Sequence, residues 1–320
     1  MQNTSRIYVA GHRGLVGSAI RRGLEHRGYS SLLLRTHAEL DLTDRGAVQA
    51  FFEQQKPEYV FLAAAKVGGI FANDTYPADF IRENLEIETH VIDASYRAGV
   101  QRLLFLGSSC IYPKLAPQPL KEESLLTGPL ESTNRAYALA KIAGVEMCRS
   151  YNQQFKTRYL AAMPTNLYGP GDNFDPRLSH VLPALMRKVV EAKRAGERSF
   201  QVWGTGTPRR EFLYSDDLAE ACIHLLSLPD ADYDKLAFQS DAPLINIGTG
   251  EDLTIRDLAA LIARVLEFDC AIVFDPSKPD GTPQKLLDVS RINALGWKAK
   301  TSLAEGIRLT YEAARSQLGA

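Results

Sequence analysis

The sequence is poor in cysteine and has no long apolar run. Its cysteines are widely spaced and include no CxxC pair, so we expect no zinc knuckle, no redox dithiol and no metal site, and at least three buried core thiols. The four are Cys110, Cys148, Cys222 and Cys270. No stretch approaches the roughly 20 apolar residues that span a bilayer, and the first residues lack the apolar region of a signal peptide. We therefore expect a soluble, cytoplasmic protein that binds no membrane.

The chain also lacks a surplus of charge. Lysine and arginine number 37 against 38 acidic residues, which gives a formal net charge of −1 in 320 residues. Proteins that bind nucleic acid by neutralising many phosphates are strongly basic, so no nucleic-acid partner is expected. With 45% apolar and 23% charged residues, the chain is too apolar to be disordered and long enough for one large unit or two intimate lobes.

Short apolar runs alternate with helical stretches in the first half of the chain. The predicted strands are Arg6–Ala10, Ser31–Leu34, Tyr59–Ala63, Arg102–Leu106 and Arg158–Met163. The predicted helices are Gly14–His26, Ala78–Ala98, ended by Gly99, and roughly Asn134–Phe155. Repeated strand–helix units produce a parallel sheet covered on both faces. The fold class predicted is therefore α/β, with a Rossmann-type doubly wound parallel sheet and a smaller C-terminal α/β domain.

The texture of the sequence changes after Pro164. The stretch PTNLYGPGDNFDP is rich in Pro, Gly, Asn and Asp and is predicted to be a loop without strand or helix. We place the domain boundary there, with residues 1–165 in a first domain that regains a segment near 212–228, and residues 166–320 mainly in a second. The second part is predicted to hold helices at Val181–Arg194, Asp216–Leu228, Ile255–Leu266 and Leu303–Ser316, and short strands at Phe200–Trp203 and Leu244–Ile247.

A glycine triplet, Gly11, Gly14 and Gly17, lies between the first predicted strand and the first predicted helix. Glycines at this position permit a tight turn, let a pyrophosphate approach the main chain and let the helix pack on the sheet. The N–H groups at the start of the helix then face the anion. An ordinary strand–helix turn is the alternative, but the placement favours a dinucleotide-binding first domain.

The end of the second strand indicates which dinucleotide binds. An acidic residue there would hold the ribose 2′-hydroxyl of NAD(H), but the sequence is Leu-Arg-Thr-His at 34–37. Arg35, together with Arg13 in the glycine turn, favours NADP(H), because guanidinium groups pair with a 2′-phosphate. Both arginines could instead be solvated. Asp41 could accept from the adenine amino group or cap a helix.

Tyr137 and Lys141 lie four residues apart on a predicted helix and therefore share one face. A nearby ammonium and an oxidised nicotinamide would favour the ionised form of the phenol, which could then exchange a proton with a substrate oxygen. Ser108 and Ser109 follow the fourth strand, at the edge where doubly wound sheets bind ligands. A serine hydroxyl there can stabilise oxyanion charge, although it could also satisfy loop main-chain groups.

These features, in this chain order, resemble the extended short-chain dehydrogenase/reductase family. Within it, the segments AGHRGLVGSAI, LGSSCIYPK, PTNLYGPGDNF, WGTGTPRREFLYSDDLA and KPDGTPQKLLDVS are similar to members that act on a GDP-linked 4-keto-6-deoxy sugar. The resemblance covers nearly the whole chain. It implies a bifunctional enzyme that epimerises the sugar at C3 and C5 and then reduces it at C4 with NADPH.

The resemblance also implies residue roles. Tyr137 is the acid for reduction, Lys141 orients it and binds the nicotinamide ribose, and Ser108 polarises the ketone. Cys110 and His180 are the acid–base pair of the epimerisation, with reference pKa values near 8.5 and 6.5 that suit proton transfer at neutral pH. Without the resemblance, a thiol after a strand and a lone histidine would be interpreted as packing residues.

Cofactor and substrate contacts follow in the same way. The implied cofactor contacts are Gly11, His12, Arg13, Gly14, Leu15, Val16, Gly17, Arg35, His37, Asp41, Leu106, Gly107, Ser108, Ser109, Lys141, Pro164, Thr165, Asn166, Leu167 and His180. The implied substrate contacts are Lys188, Trp203, Arg210 and Asp280. A core aromatic, a solvated lysine and a turn-forming aspartate are the alternatives for Trp203, Lys188 and Asp280. His37 departs from the basic residue expected there, which weakens the prediction of NADPH over NADH.

Members of the family typically form homodimers through two helices of each subunit, and Ala78–Ala98 and Asn134–Phe155 are long enough for this. Two other functions remain open from the sequence. One is a GDP-colitose synthase or a related nucleotide-sugar epimerase on the same scaffold. The other is a regulator that senses NADP without catalysis, against which the complete Ser-Tyr-Lys set argues.

Overall fold

The computed structural model describes residues 1–176, 178–239, 242–278 and 280–319. Twelve strands lie within these residues. They are β1 (Ile7–Ala10), β2 (Leu32–Leu33), β3 (Tyr59–Leu62), β4 (Arg102–Leu106), β5 (Tyr159–Pro164), β6 (Asn166–Tyr168), β7 (Ser199–Trp203), β8 (Arg209–Tyr214), β9 (Leu244–Ile247), β10 (Asp252–Thr254), β11 (Ala271–Asp275) and β12 (Gln284–Lys285).

Eleven α-helices lie within the same ranges. They are α1 (Leu15–His26), α2 (Arg45–Gln55), α3 (Ile70–Thr75), α4 (Pro77–Arg97), α5 (Arg135–Phe155), α6 (Val181–Ala195), α7 (Ser215–Ser227), α8 (Asp230–Phe238), α9 (Ile255–Val265), α10 (Ser290–Ala294) and α11 (Leu303–Leu318). Three 3-10 turns cover Ser109–Ile111, Glu122–Ser124 and Ser132–Asn134. None of the helices in the described ranges is long and apolar enough to cross a bilayer.

The main sheet contains β2, β1, β3, β4, β5 and β9 in that order, and every neighbouring pair is parallel. The strands β1, β4 and β5 are buried over their whole length, which explains why their sequences are continuous apolar runs rather than alternating ones. The strand order reverses between β1 and β3, and ligands bind at such a switch point, outside the carboxyl ends of the strands. The predicted α/β fold with a Rossmann-type sheet is confirmed.

Helices cover both faces of this sheet. The long helices α4 and α5 pack against each other, and α2 packs on α4, while α1 packs on α7. The helix α4 ends just before Gly99, as predicted, and Gly99 has a positive φ of +73°. These packings fix the first turns of α1 and α5 at the carboxyl edge of the sheet, where the predicted site residues lie.

The expectation that PTNLYGPGDNFDP contains no strand is wrong. Pro164 is the last residue of β5, and Asn166–Tyr168 form β6, which pairs in parallel with β8. Pro164 fits because it stands at a strand end, where a missing N–H costs little. The three residues of β6 precede the Gly-Pro-Gly segment that does break the chain, so composition averaged over the stretch hid a short strand.

The described side chains form two hydrophobic clusters. One surrounds the main sheet and includes residues of α7 and β9, and the other lies among α6, α9, α11 and the strands β7 and β8. The division at residue 165, with the segment near 212–228 returning to the first domain, remains our proposal. Of the cysteines, Cys110, Cys148 and Cys222 are buried and Cys270 is half-buried, which confirms the expectation of at least three buried thiols.

Candidate active site

The glycine turn after β1 is shaped by the absence of side chains. Gly11 has φ +80°, and a Cβ placed there would lie 2.9 Å from the carbonyl oxygen of Ala63. A Cβ on Gly17 would overlap the carbonyl oxygen of Gly11. Gly14 is the N-cap of α1, whose first N–H groups have no acceptor inside the helix. The first turn of α1 carries no acidic side chain, so this cradle fits a dinucleotide pyrophosphate.

Beside this turn lie the two arginines predicted to select NADP(H). The guanidinium of Arg35 donates to the carbonyl of Leu34 at 2.8 Å and lies 5.5 Å from the ring centroid of Phe51. Glu39 accepts hydrogen bonds from the main-chain N–H and the hydroxyl of Thr36, at 2.8 and 2.9 Å. These bonds, and then the charges of Arg35 and Arg13, lower the pKa of Glu39. An acidic residue, Glu39, therefore lies near Arg13 and Arg35. It comes a few residues later in the chain than the acidic residue that ends the second strand of NAD-binding domains.

The other predicted contacts in this region, His37, Asp41 and His12, differ in exposure and in hydrogen-bond partners. His37 is 84% exposed, with Nδ1 3.8 Å from Asp41. Asp41 accepts from the N–H and hydroxyl of Thr43, which lowers its pKa, whereas Asp44 caps α2. His12 is buried, and desolvation followed by the charge of Arg13 lowers the pKa of its imidazole.

The segment that follows β5 is firmly held. Pro164 ends the strand, Thr165 donates its N–H to Ile247 at 3.1 Å, and Asn166 donates its amide to the carbonyl of Glu211 at 2.8 Å. The Glu211 side chain is fully buried and accepts main-chain N–H groups from Thr249, Gly250 and Leu287. This network fixes residues 164–167 at the carboxyl edge of the sheet, where a bound nicotinamide would lie.

Ser108 and Cys110 lie where β4 ends. Ser108 caps the turn Ser109–Ile111, and its Oγ accepts from the N–H of Cys110 at 3.4 Å. Ser109 is buried, whereas Ser108 is half-buried. Burial of Ser109 favours its alternative role of satisfying the loop, and Ser108, which also hydrogen-bonds the Cys110 side chain, is the more accessible of the two hydroxyls.

Tyr137 is the third residue of α5 and packs edge-to-face on Phe80, with ring centroids 6.3 Å apart. Desolvation raises the pKa of its phenol well above the usual range, and the neighbouring Cys110 and Glu88 raise it further. Tyr137 is therefore a protonated phenol in this structure. The ionisation expected beside an oxidised nicotinamide stays a prediction, since burial is the main cause of the raised pKa in the free protein.

The ammonium of Lys141 is paired with the carboxylate of Glu88 on α4. Lys141 Nζ lies 2.9 Å from Glu88 Oε1, and the two side chains are only 1% and 2% exposed. The ammonium also lies 4.5 Å from the ring centroid of Phe105 and 5.8 Å from that of Tyr137. Nothing local distinguishes Glu88 from Glu83 and Glu86 on the same helix, so the sequence offered no signal for it.

A second lysine, Lys285 on β12, faces the thiol and the imidazole. Burial raises the pKa of Cys110, and the charge of Lys285 opposes this rise. His180 is the N-cap residue of α6, and desolvation followed by the charge of Lys285 lowers the pKa of its imidazole. Cys110 is therefore a thiol and His180 a neutral imidazole. Lys285 was not predicted, because its two-residue strand has no sequence signature.

The predicted substrate contacts form a separate cluster on the C-terminal side. Trp203, at the end of β7, is 60% exposed, and Lys188 and Lys278 place their ammonium groups 5.0 and 5.6 Å from its ring centroid. Lys188 also donates to the carbonyl of Gln201 at 3.0 Å. An exposed indole next to cations suits a nucleotide base with its phosphates. The core-aromatic alternative for Trp203 does not fit this exposure.

Asp280 and Arg210 continue this cluster toward the sheet. Asp280 accepts from the main-chain N–H and the hydroxyl of Thr205, at 3.0 and 2.7 Å. Arg210 donates to the carbonyl of Thr282 at 2.5 Å, and desolvation lowers its pKa while Asp280 opposes the shift. Arg210 is the register partner of Lys285. The two strands β8 and β12 therefore connect the exposed cluster around Trp203 with the groups beside Cys110.

The parallel sheet, the glycine turn and a serine, tyrosine and lysine at one edge define a dinucleotide-dependent short-chain dehydrogenase/reductase. The sequence profile of the NAD dependent epimerase/dehydratase family matches residues 7–240. The chain belongs to this family, which confirms the resemblance seen in the sequence.

Named relatives are similar over nearly the whole length. GDP-L-fucose synthase 1 of Arabidopsis thaliana is 55% identical, over 97% of this chain and 93% of the plant protein. The GDP-L-fucose synthase of Escherichia coli strain K12 is 54% identical, over 96% and 95%. The solved structure of a GDP-mannoheptose C4 reductase from Campylobacter jejuni with NADP bound is 40% identical, with a TM-score of 0.87 and coverage of 98% and 99%.

Proposed function

We propose that the protein is a bifunctional, NADP-dependent epimerase and reductase that converts GDP-4-keto-6-deoxy-D-mannose to GDP-L-fucose. The observation that supports this proposal is a thiol, a serine hydroxyl and a phenol around the end of β4, with a neutral imidazole at the N-cap of α6 that shares the neighbour Lys285 with the thiol. A simple reductase needs the hydroxyl and the phenol alone. The additional acid–base pair fits the names of the relatives that are 54–55% identical.

NADP(H) fits the first domain because the main-chain cradle at Gly11 and Gly17 excludes side chains and Arg13 and Arg35 lie beside it. When bound, the reduced cofactor supplies the two electrons and the hydrogen that reduce the C4 ketone. Lys141 lies on the face of α5 that carries Tyr137 and would orient the nicotinamide ribose, although only 1% of its side chain is exposed in the free protein. The segment 164–167 would close the site on the nicotinamide side.

Epimerisation uses the acidity that the C4 ketone gives to the C–H bonds at C3 and C5. One of the pair Cys110 and His180 removes a proton, the enolate oxygen accepts hydrogen bonds, and the other returns a proton to the opposite face. The protonated thiol and neutral imidazole provide one donor and one acceptor before the reaction begins. Each inversion breaks one C–H bond and forms one, so the pair exchanges its protons with water between steps.

Reduction requires a proton at the C4 oxygen. Tyr137, a phenol in this structure, donates its hydroxyl proton as the carbonyl becomes an alcohol and is then reprotonated from water. Ser108 donates a hydrogen bond to the same oxygen and so stabilises the negative charge that develops there. One polarised ketone therefore serves both the inversions and the reduction.

GDP would bind on the C-terminal side, with the base against Trp203 and the diphosphate near Lys188 and Arg210, while Asp280 contacts the substrate. A homodimer through α4 and α5 fits their surfaces, because Tyr96 and Phe155 stack at 4.2 Å and are 37% and 38% exposed. A cytoplasmic location remains part of this proposal. The colitose alternative is not favoured, since the relatives at 54–55% identity are GDP-L-fucose synthases.

The test supplies GDP-4-keto-6-deoxy-D-mannose and NADPH in deuterated water and follows cofactor oxidation and product labelling. We expect oxidation together with deuterium at C3 and C5. Tyr137→Phe should abolish reduction and keep some exchange, whereas Cys110→Ser should suppress exchange. The reverse pattern would contradict these roles. Comparable turnover of the 3-deoxy substrate would favour a colitose synthase, and tight NADP binding without any turnover would favour a regulator.

A further inference from the structure

The ion pair of Glu88 and Lys141 joins α4 and α5, which pack against each other. Gly144 on α5 makes room for it, because a Cβ there would lie 3.0 Å from Glu88 Oε2 and would overlap the ring of Phe105. The pair is buried on all sides, with 1% and 2% of the side chains exposed. A fully buried carboxylate in a helix that carries other, surface-exposed glutamates calls for a physical reason.

An unpaired ammonium in this position would be costly, because desolvation favours the neutral amine. The Glu88 carboxylate compensates that charge at 2.9 Å. It also places a negative charge near the phenol of Tyr137, which adds to the rise in pKa that burial causes. Both effects have the same sign, since a buried negative charge makes any neighbouring group hold its proton more tightly.

We propose that Glu88 is a positioning residue for the reduction, whose carboxylate balances the charge of Lys141 beside Tyr137 and so helps the phenol to keep the proton that it donates to the C4 oxygen of the substrate. This inference rests on the proposed function for its role in turnover. The proton states themselves belong to the free protein, so they can be measured without substrate or cofactor. Glu88 touches neither of these ligands in the proposal and acts through Lys141 and Tyr137.

The titratable groups that face the pair are few. Cys110, in the 3-10 turn after β4, faces both Tyr137 and Lys141, and Cys148 on α5 faces Glu88. Burial raises the pKa of both thiols, so neither is ionised at neutral pH. Burial also raises the pKa of Glu88, and the charge and hydrogen bond of Lys141 at 2.9 Å oppose that rise. In the proposal this ion pair keeps Glu88 a carboxylate, the negative charge that acts on Tyr137.

Glu88→Gln removes the charge and keeps the shape. The free protein would be labelled with 13C at the Cζ of its 13 tyrosines, and the Tyr137 resonance assigned from the Tyr137→Phe spectrum. We expect the phenol of Glu88→Gln to ionise about one pH unit or more below that of the wild type. Glu86→Gln is the matched control, because Glu86 lies on the same helix and pairs with Arg82 at the surface. An unchanged titration in Glu88→Gln, or an equal shift in Glu86→Gln, would overturn the proposal.

Glu88→Asp keeps the charge but withdraws it by one methylene, so it should move the titration in the same direction by less. If Glu88→Gln does not fold, this variant decides, and an unshifted titration in folded Glu88→Asp overturns the proposal. In turnover, the alkaline limb of NADPH oxidation should move to lower pH, while deuterium exchange at C3 and C5 is retained. Parallel loss of both activities would indicate a structural role and contradict the proposal. Failure of the wild type to turn over would instead refute the proposed function and leave the titration valid.

Discussion

The cofactor side of the candidate active site is shaped by main-chain atoms, whereas the nucleotide side is shaped by exposed side chains. The turn at Gly11 and Gly17 leaves no room for a Cβ, and its anion-binding groups are N–H groups at the start of α1. On the other side, Trp203 is 60% exposed between two lysines. The cofactor side therefore depends on backbone shape and the nucleotide side on side-chain chemistry. Substitutions at Gly11 or Gly17 should lower stability and NADPH binding together, whereas substitutions around Trp203 should weaken substrate binding alone.

The largest effect is expected at Gly17. Gly17→Ala forces a methyl group into the Gly11 carbonyl, so the turn must rearrange, with a loss of about 1–3 kcal/mol in the free energy of unfolding. NADPH binding should become undetectable by calorimetry. Gly14→Ala is the matched variant, because its Cβ would lie 3.5 Å from the nearest atom. It should keep the melting temperature and lose affinity only through crowding of the pyrophosphate. Equal melting temperatures for the two variants would show that Gly17 is not packed as described.

The next effect is expected at Trp203. Trp203→Ala should raise the KM for the GDP-sugar roughly 5- to 150-fold, the range given by about 1–3 kcal/mol for stacking on one base. NADPH affinity and melting temperature should not change, because an exposed side chain contributes little to stability. Steady-state kinetics and thermal unfolding of the same preparation measure both. A melting temperature lowered by several degrees would mean that the indole is part of the core rather than a binding surface.

The difference between the two sides also explains what could be predicted from the sequence. The glycine turn and the strand-end serine were predictable because their residues are neighbours in the chain and follow a strand of recognisable pattern. The residues 188, 203, 210 and 280 required the family resemblance, since only the pairing of β7 with β11 and of β8 with β12 unites them.

Other features were hidden for particular physical reasons. Glu88 is buried only because α5 packs over α4 at Gly144. Lys285 stands on a strand of two residues that exists only because β8 pairs with it. The strand β6 was not predicted, because the prolines and glycines on either side of it give the stretch the composition of a loop. In each case tertiary packing, rather than local pattern, decides the structure.

The pH dependence of epimerisation should respond to Lys285. Its ammonium lowers the pKa of Cys110 and of His180, so its removal in Lys285→Met raises both. Whichever of the two is the base, its deprotonated form then appears at higher pH. The acidic limb of deuterium exchange at C3 and C5 should therefore move up by about one unit. Lys278→Met, beside Trp203, is the control that removes a cation without touching the pair. If the acidic limb of deuterium exchange does not move, the charge of Lys285 does not act on Cys110 and His180.

The smallest effect concerns the choice between NADPH and NADH, which depends on charged side chains beside the main-chain turn. Glu39 holds a negative charge near Arg13 and Arg35, and the same charge opposes a 2′-phosphate. Glu39→Gln keeps an acceptor for the Thr36 N–H and removes the charge. NADPH affinity should rise about threefold, a small effect because the charge is exposed and screened by solvent. NADH affinity should not change, because NADH has no phosphate at that position. Calorimetric titration at two salt concentrations separates this electrostatic effect from a loss of loop order. Higher salt should screen the charge and reduce the gain in NADPH affinity. An equal change in affinity for NADPH and NADH would mean that Glu39 acts on the loop and not on the phosphate.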